Sequence, residues 1–241
     1  MTLVRGRCRL TLVAALALAC TAPAPVLAAD VLVQQVAADP FTNPTSQHAT
    51  AVEPDSFAWG DTVVAAFQLG RFTDGGSSGV GFATSVDGGR TWTSGTLPGL
   101  TDLQTPVGAF DRATDPSVAY DAAHGVWVVS TLLLREPCAP GGCPSSIVVS
   151  RSADGVVWSG PVTVTPYTSP IAYDKNWTTC DNGSASPHRG RCYTSFSHFG
   201  GGRKIATARS DDGGVTWSGL AVSADPAAVG LGAQPVVRPD G

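Results

Sequence analysis

After its first 28 residues the sequence contains no apolar run long enough to cross a bilayer and no segment with helical periodicity. A membrane-spanning helix needs about 20 apolar residues, so a span is excluded in that part of the chain. Metal-binding patterns such as Cys-x-x-Cys and His-Glu-x-x-His are also missing. The histidines share no metal-ligand spacing: His48, His124, His188 and His198. We therefore predict no required cofactor.

Residues 1–28 are typical of a secretory signal peptide. Three arginines precede an apolar segment at residues 10–19, and Val26-Leu27-Ala28 is suited to signal cleavage. Cys20 raises the alternative of a lipid-anchored protein, which the poorly matching Ala17-Leu18-Ala19 before it disfavours. We predict a secreted, extracellular protein.

Acidic residues outnumber basic residues in the chain after residue 28. Removing Arg5, Arg7 and Arg9 from the 15 Lys and Arg leaves 12, against 19 Asp and Glu. An acidic balance argues against nucleic acid and anionic membranes as partners. It also disfavours an anionic substrate unless local arginines override the global charge.

Four cysteines remain after residue 28. An even number in an exported chain favours disulfides, and the sequence separations suggest Cys138–Cys143 and Cys180–Cys192. The alternative is a metal site, for which no nearby histidine pair is present.

One short phrase occurs three times, with its tryptophans 66 and 59 residues apart. A repeat at such a period predicts one supersecondary unit per copy. Each copy lies between two strand-like runs, and its Asp-Gly steps suit a tight β-hairpin turn. The second copy is one residue shorter than the others. The three copies are defined by Ser85, Asp87, Gly89 and Trp92; by Ser152, Asp154 and Trp158; and by Ser210, Asp212, Gly214 and Trp217.

These phrases resemble the Asp-box (bacterial neuraminidase, BNR) repeat, Ser-x-Asp-x-Gly-x-x-Trp, over about residues 50–241. The resemblance implies an all-β fold, a β-propeller of four-stranded antiparallel blades, with six blades in sialidases. It also implies that the Asp-boxes lie at the blade periphery, so that they are structural and away from any catalytic centre.

Similar segments open successive repeats, and they begin at Glu53, Asp115, Asp174 and Gln234. After a lead-in at 29–50 we predict blades at about 51–98, 113–165 and 172–222, and the start of a fourth at 233–241. Because propellers need roughly four to eight blades, we expect residues 51–241 to be an incomplete propeller, a fragment of a larger one.

The sialidase resemblance also implies candidate catalytic residues. Arg71 and Asp74 match a family stretch in which a strand ends in Gly-Arg and the next loop carries the catalytic Asp. The family's first substrate-binding arginine, in an Arg-Ile-Pro motif, is replaced here by Glu53-Pro54-Asp55. A carboxylate in that place would repel a sialic acid carboxylate, which argues against sialic acid hydrolysis.

The openings of the repeats form a second candidate site. First strands line the central channel of a propeller, so Glu53, Asp115 and Asp174 should meet near one mouth, with Lys175 and Trp177 close by. The group could bind Ca²⁺ or the hydroxyls of a neutral glycan stacked on Trp177. The alternative is that these carboxylates only cap turns.

The sequence thus predicts an exported, sialidase-like propeller directed at glycans. It would be an exo-glycosidase or a carbohydrate-binding relative without catalysis. An alternative from another class is a cell-surface or secreted protein-interaction propeller that uses the loop at residues 137–144.

Overall fold

The computed structural model of the chain describes residues 33–138, 142–168 and 170–241. The strands of blade 1 are β1 (Ala51–Trp59), β2 (Thr62–Arg71), β3 (Ser77–Ser85) and β4 (Thr93–Thr96). Those of blade 2 are β5 (Arg112–Asp121), β6 (Val126–Leu134), β7 (Ser145–Ser152) and β8 (Val162–Thr163). Those of blade 3 are β9 (Tyr173–Cys180), β10 (Cys192–His198), β11 (Lys204–Ser210) and β12 (Ala221–Val222).

Every strand pairs antiparallel with its neighbour in the same blade. A single pairing, Ser77 with Ala113, links the sheets of blades 1 and 2. The one helical element in the described residues is a 3-10 turn, Phe199–Gly201. The predicted all-β fold of four-stranded antiparallel blades is therefore confirmed. The segment at 233–241 contains no strand.

The apolar core lies between adjacent blades. Strand β6 is apolar on both faces, because Trp127 and Val129 pack toward blade 1 whereas Val126 and Val128 pack toward blade 3. The sequence of a strand that is covered on both faces is a continuous apolar run, without alternating apolar and polar residues. Stacking of blades thus buries both faces of the central sheet.

The lead-in segment packs on blade 1. Phe41 and Val36 lie against Phe67 and Leu69 of β2. The carboxylate of Asp39 accepts hydrogen bonds from the backbone N–H groups of Phe41, Thr50 and Gly70 at 3.0–3.2 Å. Residues Gln35–Gly241 form one compact unit.

Each of the three Ser-x-Asp phrases forms a turn after the third strand of a blade, and in each turn the Ser and Asp side chains accept hydrogen bonds from backbone N–H groups. In the first, the backbone N–H of Gly89 donates to Ser85 Oγ at 2.8 Å, and those of Arg90 and Thr91 donate to Asp87 Oδ1 at 2.9 Å. Thr91 Oγ1 also donates to Asp87, and these bonds lower the pKa of the Asp87 carboxyl. The aspartates satisfy backbone groups that the turn leaves unpaired, which is a structural role.

The first strand of each blade carries a residue in the left-handed region. Glu53, Asp115 and Lys175 have φ angles of 50°, 48° and 50°. The strand pairing shifts register at each of these places, as expected for a β-bulge. The residue equivalent to Glu53 and Asp115 is thus Lys175. The equivalence with Asp174 expected from the sequence is wrong by one position, because the bulge and not the start of the segment fixes the alignment.

Both predicted disulfides are present, Cys138–Cys143 and Cys180–Cys192. The second joins directly paired residues of β9 and β10. Disulfides are typical of extracellular proteins. The predicted signal peptide and Cys20 lie outside the described residues. Within the described residues no helix is long and apolar enough to cross a membrane.

The two disulfides should differ in their effect on stability. They close loops with separations of 12 and 5 residues, for which the chain-entropy relation gives about 3 and about 2 kcal/mol respectively. We expect Cys180→Ala/Cys192→Ala to lower the free energy of unfolding more than Cys138→Ala/Cys143→Ala. Urea denaturation of both double variants measures this, and a larger loss for the 138–143 pair would contradict it.

Candidate functional site

Three blades contribute residues to one cavity at the ends of their strands. This outer cavity has a volume of about 470 Å³ and lies where β2 and β6 end and where β3, β5 and β9 begin. Its charged lining residues are Glu53, Arg71, Asp74, Arg112, Asp115, Asp174 and Arg203. The three Ser-x-Asp turns are at the opposite end of β3, β7 and β11. The site and the repeated phrase are therefore separated by the length of a strand.

Arg71, at the end of β2, is held by a buried polar chain. Its Nη1 donates to Gln68 Oε1 at 2.8 Å, and Gln68 Nε2 donates to Thr114 Oγ1 at 2.9 Å. Gln68 is fully buried. Arg71 Nη2 also lies 3.6 Å from Glu53 Oε1. The guanidinium is thus fixed in orientation at the cavity wall before any ligand binds.

The bulge residues of the three blades form an ion-paired bridge. The Nζ of Lys175 lies 3.3 Å from Glu53 Oε2 and 3.2 Å from Asp115 Oδ1. The backbone N–H of Lys175 donates to Asp115 Oδ2 at 3.2 Å. We call these three residues the bulge triad. Each bulge directs its side chain to the same point, so residues about 60 positions apart in sequence meet.

The carboxyl groups at this point differ in their pKa. Burial raises the pKa of Asp115 to about 6 against the opposing effect of Lys175, and the nearby Asp174 carboxylate adds to the increase. Burial also raises the pKa of Asp174. For Glu53 burial is outweighed by hydrogen bonding to Asp115 and by the charges of Lys175 and Arg71, so its pKa is lowered. The two pKa values are thus pushed apart, so that at pH 5 Asp115 is mostly protonated while Glu53, with its lowered pKa, is the more strongly ionised of the two.

Asp74 lies in the loop between β2 and β3 and is bound by Arg112. Arg112 Nη1 donates to Asp74 Oδ1 at 2.6 Å, and Nε donates to Glu136 Oε1 at 2.7 Å. The guanidinium also lies over the ring of Phe72, with Cζ 4.5 Å from the centroid. The hydrogen bond from Arg112 lowers the pKa of Asp74, whose side chain is 71% exposed. Asp74 is accordingly an ionised, solvent-facing carboxylate.

Arg203 also lines the outer cavity and lies in the chain between the 3-10 turn and β11. Its guanidinium is 5.3 Å from the ring centroid of Phe199, and within the described residues it makes no ion pair. Tyr173 and Ala172 line the same cavity. Burial raises the pKa of the Tyr173 hydroxyl. Arg203 is thus the cavity arginine whose charge is not already paired with a carboxylate.

A smaller inner cavity of about 200 Å³ shares Glu53 and Asp115 with the outer one. It is lined by the bulge residues and by the one or two residues that follow each of them in β1, β5 and β9. Trp177 is at its wall. Asn176 is also there, with Nδ2 donating to Ser130 Oγ and with Oδ1 buried and unpartnered. The bulge triad therefore lies between two spaces.

The structure brings together most of the residues that the sequence singled out. Glu53, Arg71, Asp74, Asp115 and Asp174 all line the outer cavity, whereas Lys175 and Trp177 line the inner one. The carboxylates expected to hold Ca²⁺ have the Lys175 ammonium between two of them. Among the described residues no group of three His, Cys, Asp or Glu side chains is arranged to hold a metal.

Sequence reasoning missed Arg112, Arg203 and Tyr173. Arg112 begins β5, three residues before the bulge, and Tyr173 begins β9, two residues before its own bulge. The other two blades have no similar residue at the same distance from the bulge, so the repeat carried no signal for either residue. Arg203 has a φ of 61° in a short connection and no repeated counterpart that would reveal it.

Comparison with solved structures defines the class of fold. The leech intramolecular trans-sialidase in complex with 2,7-anhydro-Neu5Ac superposes with a TM-score of 0.58 at 13% identity, covering 88% of this chain and 49% of that one. The Hadza microbial sialidase Hz136 superposes with a TM-score of 0.50 at 18% identity, covering 68% and 36%. No family model and no curated protein matches the chain by sequence.

These likenesses show a sialidase-like β-propeller fold. The chain spans between about a third and a half of the length of the structures it matches. At such identities the comparison carries the fold and leaves the chemistry to the residues of the cavity.

Proposed function

We propose that the protein is a glycan-directed, sialidase-like propeller whose outer cavity takes the terminal sugar of a glycan, as an exo-acting glycoside hydrolase. The observation that carries this proposal is the convergence of three arginines, Tyr173 and the buried carboxyl of Asp115 in one cavity of about 470 Å³. Ligand sites are typically concave, with a few convergent polar groups and perturbed pKa values.

An acidic sugar is the ligand that this charge arrangement fits best. The Glu53 carboxylate should repel an acidic sugar less than the sequence suggested, because Lys175 and Arg71 both pair with it. Arg203 has a free guanidinium, and guanidinium groups bind carboxylates in a bidentate manner.

A carbohydrate-binding relative without catalysis is the second candidate. It is favoured by Asp74, the residue expected to be catalytic, because Arg112 holds it as an ionised carboxylate. The protein-interaction alternative rests on the loop at residues 137–144, which lies partly outside the described residues. It stays a prediction without further support.

Replacing Arg203 should weaken recognition of acidic sugars. We expect Arg203→Ala to lower kcat/KM, or the binding constant where no turnover occurs, by at least tenfold for a 4-methylumbelliferyl sialoside. Such a loss corresponds to about 1.4 kcal/mol, within the range of a hydrogen bond to a charged group. Neutral 4-methylumbelliferyl glycosides should change much less.

Arg209→Ala is the matched control, because Arg209 pairs with Asp211 away from the outer cavity. An equal loss in both variants would contradict the assigned role of Arg203. If wild-type protein neither binds nor hydrolyses any glycoside of a broad α and β panel, the proposed function itself is wrong.

A further inference from the structure

Asp74 and Asp115 are two of the four carboxyl groups that line the outer cavity, and their surroundings differ sharply. Asp74 is largely exposed and bonded to Arg112 at 2.6 Å. Asp115 is 7% exposed, lies at the β-bulge of β5, and is held by hydrogen bonds with Lys175 and Thr114. A general acid must hold its proton near the working pH and keep a fixed position. Asp115 meets both conditions, whereas Asp74, whose pKa is lowered by Arg112, does not meet the first.

The position of Asp115 is set by the groups around it. From β9, Lys175 approaches through Nζ and through its backbone N–H, both at 3.2 Å, and Asp174 lies beside it. From β1, Glu53 shares a hydrogen bond with it. On its own strand, Thr114 Oγ1 is 3.3 Å from Oδ1. Arg71, at the end of β2, pairs with Glu53 and completes the charges that face this group.

Glu53 and Lys175 act on Asp115 in opposite directions. The Glu53 carboxylate and burial favour the protonated form, whereas the Lys175 ammonium favours the ionised form. Because both states have a partner in the folded protein, Asp115 can lose and regain a proton without leaving a buried charge unpaired. Pairs of carboxyls whose environments push their pKa values apart are typical of acid and base roles.

We propose that Asp115 transfers the proton in glycoside cleavage at the outer cavity, with Lys175 as its positioning residue. The inference rests on the proposed function. Asp115 donates its proton to the glycosidic oxygen as the bond from that oxygen to the anomeric carbon breaks, and the electron pair of the bond stays on the oxygen. A water adds its oxygen to the anomeric carbon and returns a proton to Asp115. One water is consumed, and Asp115 ends protonated.

The test compares Asp115→Asn, Asp74→Asn and wild type on 4-methylumbelliferyl glycosides and on matched alkyl glycosides. Loss of general acid catalysis should lower kcat by about 10²-fold or more. We expect this loss for Asp115→Asn on the alkyl glycosides and a much smaller loss on the aryl ones, because an acidic phenol leaves without protonation. Asp74→Asn should stay within tenfold on both.

The pH profile supplies a readout that a merely structural role would not move. Wild-type kcat/KM should fall as the pH rises above about 6, where Asp115 ionises. Lys175→Met removes the cation that favours ionisation, so it should move this fall to higher pH. The pH profile of Lys175→Met tests the role of Asp115 even if the Asp115→Asn variant does not fold.

Three results would overturn the inference. One is a 10²-fold loss in Asp74→Asn with Asp115→Asn active, and another is an equal loss on aryl and alkyl glycosides. The third is binding of glycans by wild type without turnover, which would leave the outer cavity as a binding site and remove the proton transfer. Absence of both binding and turnover would instead refute the proposed function.

Discussion

Replacing Lys175 by Met should lower the free energy of unfolding by about 2 kcal/mol at pH 7 and by clearly less at pH 5. Breaking a buried ion pair costs about 3–5 kcal/mol. The 39% exposure of the Lys175 and Glu53 side chains reduces that figure through solvent screening. At pH 7 the variant lacks the ammonium that favours the ionised form of Asp115, so Asp115 must either bind a proton or stay charged beside the Glu53 carboxylate, and both cost free energy.

The pH dependence follows from the sign of the Asp115 shift. Its folded pKa, about 6, is above the ordinary value of 3.8. The folded protein therefore binds a proton between these two values that the unfolded chain does not, and this stabilising contribution is lost as the pH rises through 6. At pH 5 Asp115 is mostly neutral, so that removing Lys175 leaves only Glu53, which Arg71 still faces.

Lys204→Met is the matched control for this experiment. The Nζ of Lys204 donates to the backbone carbonyls of Asp225 and Pro226 at 2.6 and 2.7 Å. No carboxylate takes part in those contacts, so its replacement should cost the same at both pH values. Urea denaturation at pH 5 and pH 7 measures all of these differences. A loss in Lys175→Met that does not depend on pH would contradict the bulge triad as an electrostatic unit.

Replacing Gly155 by Ala should lower the free energy of unfolding by about 3 kcal/mol. Gly155 has a φ of 75°, and a left-handed residue with a Cβ costs about 1–2 kcal/mol. The added Cβ would also lie 2.8 Å from Val64 Cγ2 and 3.1 Å from Thr84 Cγ2, in the packed contact of blade 2 with blade 1. Overpacking in a core adds about 1–3 kcal/mol.

Gly88→Ala separates the two causes. Gly88 is in the first Ser-x-Asp turn with a φ of 72°, yet a Cβ there would meet nothing within 4 Å. We expect it to show the backbone cost alone, about 1–2 kcal/mol. Thermal or urea unfolding of both variants provides the comparison. Equal losses would show that the second turn does not pack against blade 1 as the structure has it.

This same contact shows how far the sequence could predict the fold. The Ser-x-Asp phrases predict turns and strands because their hydrogen bonds are local, and the structure has a strand before each turn. The second phrase is one residue shorter than the other two, and its own sequence does not explain the difference. In the structure the carbonyl of Gly155 accepts a hydrogen bond from Thr84 Oγ1 at 2.5 Å, a contact with another blade that local reasoning does not reach.

The candidate site could be predicted only in part, because it also depends on contacts between blades. The positions of Glu53 and Asp115 near one channel mouth follow from the repeat. The partner of both is Lys175, because the β-bulge sets the alignment of the third blade one residue later than the sequence suggested. Arg112 was missed because its function depends on two carboxylates, Asp74 and Glu136, that come from different loops.

The most direct test of the account is saturation-transfer NMR on the wild-type chain with a mixture of neutral and sialylated oligosaccharides. We predict that saturation reaches the ligand at one terminal sugar, that this sugar is the acidic one, and that Arg203→Ala abolishes the transfer. Saturation spread evenly along the oligosaccharides, or unchanged in Arg203→Ala, would contradict the outer cavity as the glycan site.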